Sequence, residues 1–300
     1  MLKNRVAIIT GATRGIGKNI AINLAKNGCN IVVAGKSTRE NKNLPGTIYS
    51  VSEELKKYNC DVLPYKVDVQ DSDCLKDLVN TTVKKFGKID ILINNAGALW
   101  WKNILETPVN KYDLINNVNS RASYTLSQLC LPHMLKNKWG HIIMQSPPFT
   151  EEYIKYIIDE SKIKGMTAYM ISKLGMSITA RGIGQEFKGT GVAANSLWPM
   201  TPIESYALIN NNLGTKKQWR KPEIISDAVL NILQEDPFTF TGNCLVDEDY
   251  LKTKGVSDFS IYQSVSGYEP PKLNDMSDFF TKKKIKKMLT VGFEPTTPGS

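Results

Sequence analysis

Short runs of β-branched and aliphatic residues alternate with longer helical patterns from residue 5 to about residue 250. Between the first two runs, Ile16, Ile20 and Leu24 recur at helical spacing, and Gly28 is typical of a helix end. Strands separated by helices predict right-handed crossover connections and a parallel sheet. The seven predicted strands are RVAIIT (5–10), NIVVAG (30–35), DVLPYKVDV (61–69), IDILINNAG (89–97), GHIIMQS (140–146), VAANSLWP (192–199) and GNCLVD (242–247).

This alternation predicts an α/β fold: a Rossmann-type, doubly wound parallel sheet of about seven strands flanked by helices. The polar insert KSTRENKNLPG (36–46) predicts a surface loop. After residue 250, SGYEPPKLND is typical of an irregular arm and TVGFEPTTPGS of a disordered tail. We therefore predict one α/β domain over 1–250, followed by a C-terminal arm and a disordered basic tail over 251–300. The other helical patterns cover 108–136, 167–188 and 221–234.

The positive charge of the chain is unevenly spread. The formal net charge is +9, and five lysines lie together in KKKIKK (282–287). Such a segment contacts nucleic acid or an anionic surface in some proteins and is a solvated charge run in others. No nucleic-acid-binding motif accompanies it, so we expect no nucleic-acid partner. No apolar run approaches the ~20 residues of a membrane helix, which predicts no membrane span.

Cysteine and histidine usage argues against several classes of site. The chain has five cysteines without a C-x-x-C pair, and two histidines. This predicts neither a disulfide framework nor a metal site, and a Ser-His-Asp triad is not apparent. The strand predicted from residue 5 leaves no room for a charged and then apolar leader. We expect an intracellular, reducing location, cytoplasmic by default.

The segment TGATRGIG (10–17) follows a predicted strand and opens a predicted helix, the context that a dinucleotide-binding fingerprint requires. Gly11 permits the tight turn, Gly15 lets the backbone approach a pyrophosphate, and Gly17 lets helix and strand pack closely. The helix N-terminus offers free N–H groups and partial positive charge to phosphates. A glycine-rich turn without a ligand is the alternative. The other loop residues assigned to the cofactor are Thr13, Arg14 and Ile16.

Charge at the end of the second strand decides which dinucleotide we expect. NAD sites usually carry an acidic residue there for the ribose 2′-hydroxyl, whereas NADP sites carry basic residues. Here the strand ends VVAGKS, with Gly35 in the acidic position, Lys36 beside it and Arg14 in the glycine loop. These two cations without a carboxylate predict NADP, although exposed basic residues are common without such a role.

The glycine motif is followed, in order, by DV (68–69), NNAG (94–97), Asn119, YMISK (169–173) and WP (198–199). By these motifs, residues 5 to about 250 resemble the short-chain dehydrogenase/reductase family.

The resemblance implies roles for these positions. Asp68 and the backbone of Val69 would hold the adenine, and Asn119 would hold a water in a proton relay. The family also implies a homo-oligomer. The cofactor contacts that it implies further are Asn95, Ala96, Gly97, Pro199 and Thr201.

Three Tyr-x-x-x-Lys pairs occur, at 169/173, 250/254 and 268/272. Two prolines separate the members of the last pair, and the second pair follows the last predicted strand, far from the cofactor elements. Tyr169 and Lys173 instead follow the fifth strand on a helical stretch, where residues four apart share a face. A nicotinamide lies at this kind of crevice, so we assign the catalytic pair here. A half-buried tyrosine beside a solvated lysine is the alternative.

Electrostatics predicts that Lys173 lowers the pKa of Tyr169. Moving the pKa of a tyrosine from about 10 to about 7 requires roughly 4 kcal/mol. An ammonium group about 4 Å away at an effective dielectric constant of ~20 supplies about that much. Tyr169 would then donate a proton to a carbonyl oxygen during reduction and accept it in the reverse reaction. By resemblance, Lys173 would also bind the nicotinamide ribose hydroxyls.

The serine that this family places just past the fifth strand, to polarise the substrate carbonyl, does not align. Pro147 stands at that position, and Ser146 immediately precedes it. We predict Ser146 as the catalytic serine, with Thr167 or a water as alternatives. The insert EEYIKYIIDESKIKG (151–165) predicts an additional helix over the active site.

Together these patterns predict an NADP-dependent oxidoreductase that moves hydride between nicotinamide and a carbonyl or secondary alcohol. The segments NIVVAGKS, SPPF and NSLWPMT resemble one subgroup of the family, associated with lipid metabolism, peroxisomes and mitochondria. That resemblance implies a lipid-like substrate of the fatty acyl or steroid type and a peroxisomal or mitochondrial location. Candidates for an apolar pocket wall, equally typical of core or surface positions, are Trp100, Trp101 and Trp198.

A second functional class stays open. An NADP-binding regulator or scaffold without turnover would keep the glycine motif and lose part of the catalytic set. The serine that fails to align favours this class, whereas Tyr169, Lys173 and Asn119 oppose it.

Overall fold

Seven parallel strands form the sheet of the computed structural model, which describes residues 2–158 and 163–272. The strand order is β3-β2-β1-β4-β5-β6-β7, and every neighbouring pair runs parallel. The predicted Rossmann-type fold is therefore present. The strands are β1 (Val6–Thr10), β2 (Asn30–Gly35), β3 (Val62–Lys66), β4 (Ile91–Asn94), β5 (Gly140–Gln145), β6 (Val192–Trp198) and β7 (Cys244–Val246).

Helices cover both faces of this sheet. They are α1 (Gly15–Lys26), α2 (Ile48–Leu55), α3 (Ser72–Phe86), α4 (Val109–Asn116), α5 (Ala122–Lys136), α6 (Glu151–Ile158), α7 (Thr167–Glu186), α8 (Tyr206–Asn210), α9 (Glu223–Ile232) and α10 (Asp247–Thr253). Ile9 packs in the core beneath α1, α2 and α9, whereas its neighbour Ile8 packs beneath α3, α5 and α7. Burial on both faces explains why the strands read as continuous apolar runs. Among the described helices, none combines the length and apolar character needed to cross a bilayer.

The strand order reverses between β1 and β4, and the loops that follow these two strands are bonded to each other. Asn95 donates from Nδ2 to the carbonyl oxygens of Thr10 (2.9 Å) and Gly11 (3.3 Å). The Thr10 hydroxyl oxygen accepts from the backbone N–H groups of Asn95 (3.1 Å) and Ala96 (3.0 Å). A crevice at such a switch point is the usual ligand site of an open α/β sheet.

Two glycines make this junction sterically feasible. Gly11 has a φ of +66°, in the left-handed region that disfavours other residues. A Cβ atom at Gly17 would lie 2.4 Å from Asn95 Nδ2 and 2.5 Å from the Gly11 carbonyl oxygen. The first turn of α1 can therefore approach the loop after β4 only with glycine at position 17.

Several element boundaries differ from the sequence prediction. β3 ends at Lys66 and β4 at Asn94, and the residues that follow each of them leave the parallel ladder. The predicted 108–136 helix is interrupted by a π-helical turn at Asn117–Arg121. The 36–46 insert forms a loop as predicted, and α6 confirms a helix within the 151–165 insert.

The segment after β7 packs on the domain through a buried arginine. Arg220 is 1% exposed and donates from Nη1 to Glu248 Oε2 (2.6 Å) and from Nη2 to Glu269 Oε1 (2.8 Å). The helix α10 runs across the domain boundary predicted at residue 250, and the described part of the arm continues to residue 272. The predicted disordered tail, including KKKIKK, lies outside the described residues.

Asp247, fully buried at the start of α10, anchors the segment that follows β6. Its Oδ1 accepts from the backbone N–H groups of Met200 (2.7 Å) and Glu248 (2.7 Å). Burial raises the pKa of Asp247 to about 7, against the lowering effect of these hydrogen bonds. The backbone at Met200 thus depends on a carboxyl group that titrates near neutral pH.

The stability of the protein should report this titration. An unfolded aspartate has a pKa of about 3.9, so the native state retains a proton that the unfolded state loses between about pH 4 and about pH 7. Asp247 therefore lowers stability as the pH rises through this range. Asp247→Asn keeps the Oδ1 acceptor but does not titrate. We expect the unfolding temperature of the wild type, followed by circular dichroism, to fall relative to that of the variant as the pH rises. Parallel profiles would contradict the assignment.

Candidate active site

A cavity of about 550 Å³ opens at the carboxyl ends of the central strands. Its lining combines the glycine loop, the loop after β4, one face of α7 and the segment after β6. These elements are distant in sequence and meet because parallel strands end at the same edge of the sheet. Of the residues predicted from sequence, those that line the cavity are Gly11, Thr13, Arg14, Gly15, Ile16, Gly17, Asn95, Ala96, Gly97, Tyr169, Lys173, Pro199 and Thr201.

Arg14, in the glycine loop at one end of the cavity, is hydrogen-bonded to the 36–46 loop. Its Nη2 donates to Ser37 Oγ (2.8 Å) and to the carbonyl oxygens of Leu44 (3.1 Å) and Gly46 (3.0 Å). Its Nε donates to the carbonyl oxygen of Pro45 (3.1 Å). The guanidinium group therefore holds this loop at the cavity mouth, a contact that the sequence analysis missed.

Lys36 and Asp68, at the ends of neighbouring strands, form an exposed ion pair outside the cavity lining. The Nζ–Oδ2 distance is 2.7 Å, and the two side chains are 64% and 37% exposed. Burial opposes ionisation of Asp68, but hydrogen bonds from Lys36 and the Gln70 N–H lower its pKa overall. An exposed pair is worth about 0–1 kcal/mol, so Lys36 can exchange this partner for another anion at little cost. The side chain of Val69 packs in the core, and the adenine contact predicted for its backbone stays a prediction.

Tyr169 and Lys173 lie one turn apart on α7, at the cavity wall. The indole of Trp101 meets the Tyr169 ring edge-on, with 6.0 Å between the centroids. Lys173 is 5% exposed and donates from Nζ to the carbonyl oxygen of Gln145 (2.8 Å). This contact fixes the ammonium group against the end of β5.

The pKa prediction for this pair was wrong in direction. Burial raises the pKa of Tyr169 above its ordinary value and lowers that of Lys173 to about 8. Attraction between phenolate and ammonium alone would lower the pKa of Tyr169. In the cavity wall, however, both charged forms lose hydration, and this loss has the larger effect on the two pKa values. The tyrosine of the resting protein is therefore a neutral phenol near neutral pH.

Asn119 is fully buried in the π-helical turn and does not line the cavity. Its Nδ2 donates to Ser172 Oγ (2.8 Å) and to the Ala98 carbonyl oxygen (3.0 Å), while its Oδ1 accepts from the Ala98 N–H (2.8 Å). The amide thus joins α7 to the loop after β4. Both N–H groups of the amide already donate hydrogen bonds, so a water could bind this side chain only through an acceptor atom. The water relay stays a prediction.

Ser146, predicted as the catalytic serine, is fully buried and does not line the cavity. Its Oγ has no hydrogen-bond partner among the described residues. The alternative Thr167 does not line the cavity either. Gln145, one residue earlier on β5, is exposed to the cavity instead because side chains alternate along a strand. Sequence reasoning overlooked it, since a glutamine ending a strand carries no catalytic signature.

The remaining wall is largely aromatic and aliphatic. Tyr153, Tyr156 and Ile157 line the cavity from α6, so the inserted helix does lie over the site as predicted. Met166 and Met170 contribute flexible apolar side chains from the α7 region. Of the three tryptophans singled out in the sequence, Trp101 and Trp198 line the cavity and Trp100 does not.

The other two Tyr-x-x-x-Lys pairs lie away from this cavity. The Tyr250 hydroxyl donates to Glu235 Oε1 (2.8 Å), and Lys254 pairs with the same carboxylate. The Tyr268 hydroxyl accepts from Lys217 Nζ (2.9 Å). Both hydroxyl groups form hydrogen bonds with nearby side chains away from the cavity, whereas Tyr169 lines the cavity.

Comparisons with known sequences agree with this geometry. The sequence profile described as short chain dehydrogenase matches residues 5–203. Hydroxysteroid dehydrogenase-like protein 2 from Bos taurus is 43% identical over 261 residues, which are 87% of this chain and 60% of the relative. The protein of that name from Homo sapiens is 40% identical over 288 residues, which are 96% of this chain and 66% of the relative. The chain thus spans about 60% of the length of the first of these relatives.

Solved structures of short-chain dehydrogenases and oxidoreductases also match this fold. A short chain dehydrogenase from Mycobacterium thermoresistibile is 38% identical with a TM-score of 0.81, covering 90% of this chain and 94% of that one. A metagenomic short-chain oxidoreductase in complex with NADP shares the fold at 24% identity and a TM-score of 0.65, covering 82% of this chain and 97% of that one. The predicted fold and family resemblance are confirmed: this chain belongs to the short-chain dehydrogenase/reductase family.

Proposed function

We propose that the protein is an NADP-dependent oxidoreductase that interconverts a carbonyl group and a secondary alcohol on a neutral, lipid-like substrate. The observation that carries the proposal is the placement of Tyr169 and Lys173 in one apolar-walled cavity with the glycine loop. A dinucleotide site and a proton donor within a single cavity are what a reaction of this kind requires.

The residues present fit a dinucleotide. The N-terminus of α1 carries no side-chain cap and no acidic residue in its first turn, so its N–H groups can bind a pyrophosphate. Gly97 lines the cavity beside the catalytic pair, where a Cβ atom would be in van der Waals contact with Lys173 Nζ at 3.6 Å. Thr201 lines the cavity with a buried hydroxyl that has no partner among the described residues. Bound NADPH would supply the hydride.

Preference for NADP rests on the charges near the end of β2. Gly35 leaves no carboxylate for a ribose 2′-hydroxyl, and Lys36 at the exposed strand end is available for a 2′-phosphate. Arg14 adds positive charge near this site. Because its guanidinium group is hydrogen-bonded to the 36–46 loop, we expect it to hold that loop and to attract the phosphate only through its long-range electric field.

A neutral, apolar substrate follows from the described cavity lining. Its charged side chains are Arg14 and Lys173, and both donate hydrogen bonds to backbone carbonyl oxygens. The lining is otherwise rich in aromatic and aliphatic side chains, including Trp101, Tyr156 and Met170. The described lining contains no acidic side chain to pair with a cationic group, and its two cations are assigned to the cofactor end and to the reaction, so we expect the reacting part of the substrate to be uncharged.

Tyr169 acts as the proton donor in this scheme. Its raised pKa keeps the phenol protonated at neutral pH, the form that reduction requires. Lys173, fixed by the Gln145 carbonyl, places a positive charge beside the site where negative charge develops. In this scheme the residues of the chain supply the proton that carbonyl reduction consumes.

Assembly and location are further parts of the proposal. Tyr124 on α5 and Ile171 and Ile178 on α7 are 57%, 48% and 53% exposed, which supports association between copies of the chain through these helices. A peroxisomal or mitochondrial location stays a prediction from the subgroup resemblance.

Tyr169→Phe tests the catalytic assignment. We expect kcat/KM for NADPH-dependent reduction of neutral ketones to fall by about 10²-fold or more, because the variant lacks the proton donor. NADPH affinity, measured by fluorescence titration, should be retained. Tyr268→Phe, from another Tyr-x-x-x-Lys pair, is the matched control and should leave turnover unchanged. Equal turnover in Tyr169→Phe would remove this residue from the mechanism. Tight NADPH binding without turnover in the wild type would favour the scaffold function, which the buried Ser146 supports.

Lys36→Asp tests the choice of cofactor. We expect the Kd of NADPH to rise by roughly 10- to 100-fold, the worth of a hydrogen bond between charged groups, while the Kd of NADH changes much less. Lys188→Asp makes the same charge change at an exposed position away from the cavity and controls for the altered net charge. Equal losses of affinity for the two dinucleotides would count against NADP.

A further inference from the structure

Gln145 lines the cavity with a buried side chain whose amide N–H donor is unsatisfied. The residue ends β5 and is 6% exposed, and its Nε2 has no hydrogen-bond partner among the described residues. Buried polar atoms are nearly always hydrogen-bonded, because an unsatisfied donor loses its water without compensation. A donor kept in this state at a cavity wall indicates a ligand atom as its missing partner.

The position of Gln145 ties it to the catalytic pair. Its carbonyl oxygen accepts the 2.8 Å hydrogen bond from Lys173 Nζ, so the backbone at residue 145 is fixed beside the catalytic helix. Tyr169 lies one turn before Lys173 and lines the same cavity. Gln145 and Tyr169 therefore line one cavity, and the Gln145 backbone contacts the lysine one turn from that tyrosine.

Two other unpartnered hydroxyl groups lie outside the lining or in the segment assigned to the cofactor. Pro147 stands at the position of the family serine, and the hydroxyl of Ser146 is buried away from the cavity. Thr201 lines the cavity with an unpartnered hydroxyl, but it follows β6, in the segment assigned above to the cofactor. Gln145 thus combines an unpartnered side-chain donor with a backbone contact to Lys173, and it lines the cavity.

Building on the proposed function, we propose that Gln145 donates a hydrogen bond from Nε2 to the substrate carbonyl oxygen, in place of the missing serine. As the hydride of NADPH adds to the carbonyl carbon, the π electron pair moves to the oxygen, which takes the proton of the Tyr169 hydroxyl. The amide keeps both of its protons and stabilises the charge that develops on that oxygen. A neutral amide provides this donor at every pH at which the protein is folded.

Gln145→Met tests the inference, because methionine matches the length of glutamine and lacks the donor. We expect kcat/KM for reduction of 2-decalone, a neutral bicyclic ketone, to fall by about 100-fold. The unfolding temperature should stay equal or rise, since the variant removes an unsatisfied buried donor. Gln234→Met, at an exposed position, is the matched control and should change neither quantity.

Infrared spectroscopy supplies a readout that does not depend on turnover. We expect the carbonyl stretching band of 2-decalone, bound together with NADP⁺, to lie at lower frequency in the wild type than in Gln145→Met, because hydrogen bonding weakens the C=O bond. A band that is the same in both proteins, with kcat/KM within about twofold, would overturn the inference. An unchanged band with weakened NADPH binding would assign the amide to the cofactor and overturn it too.

The same measurements separate this inference from the proposed function. A band shift that depends on Gln145 in a wild type without turnover would support the contact and refute the oxidoreductase activity. Turnover that is insensitive to Gln145→Met would support the activity and refute the contact. A wild type that does not bind 2-decalone would count against both. A lowered unfolding temperature in Gln145→Met would indicate a structural role and refute the missing-partner argument.

Discussion

The hydrogen-bonded junction between the loops after β1 and β4 is the constraint on which the site depends. Asn95 reaches across to Thr10 and Gly11, and this contact requires that position 17 carry no side chain. The junction fixes the glycine loop relative to the loop that leads to Trp101. One wall of the cavity and the N-terminus of α1 are therefore held together by hydrogen bonds between side chains and backbone that a side chain at position 17 would prevent.

A second constraint is the burial of charge at the opposite wall. Lys173 lies almost completely inside the protein, with its ammonium group on the Gln145 carbonyl, and Tyr169 lies beside it in an apolar surrounding. Desolvation moves the two pKa values in opposite directions, toward neutral tyrosine and neutral lysine. The site is therefore prepared to give a proton, which is consistent with reduction of a carbonyl group.

The segment after β6 depends on contacts from the end of the chain. Asp247 holds the backbone of Met200, and Arg220 links this region to Glu248 and Glu269. The helix α10 and the C-terminal arm thus contact the segment that follows β6, although neither contributes a side chain to the described lining. Changes in the arm can alter the site without touching a ligand.

The fold class, the order of strands and helices along the chain, and the place of the glycine loop can be read from the amino-acid sequence alone. These depend on local patterns: apolar runs of strand length, helical spacing, and glycines at a strand–helix junction. Tyr169 could also be chosen among the three candidate tyrosines, because the choice needs only its position along the chain relative to the predicted strands.

Tertiary structure decided which side chains meet in the cavity and in what ionisation state. Ser146 and Gln145 are adjacent in sequence, yet only Gln145 lines the cavity, since the strand turns neighbouring side chains to opposite sides. The partners of Arg14 and Lys36 and the burial that raises the pKa of Tyr169 arise from residues distant along the chain. Desolvation depends on everything packed around a group, and a linear pattern does not contain that information.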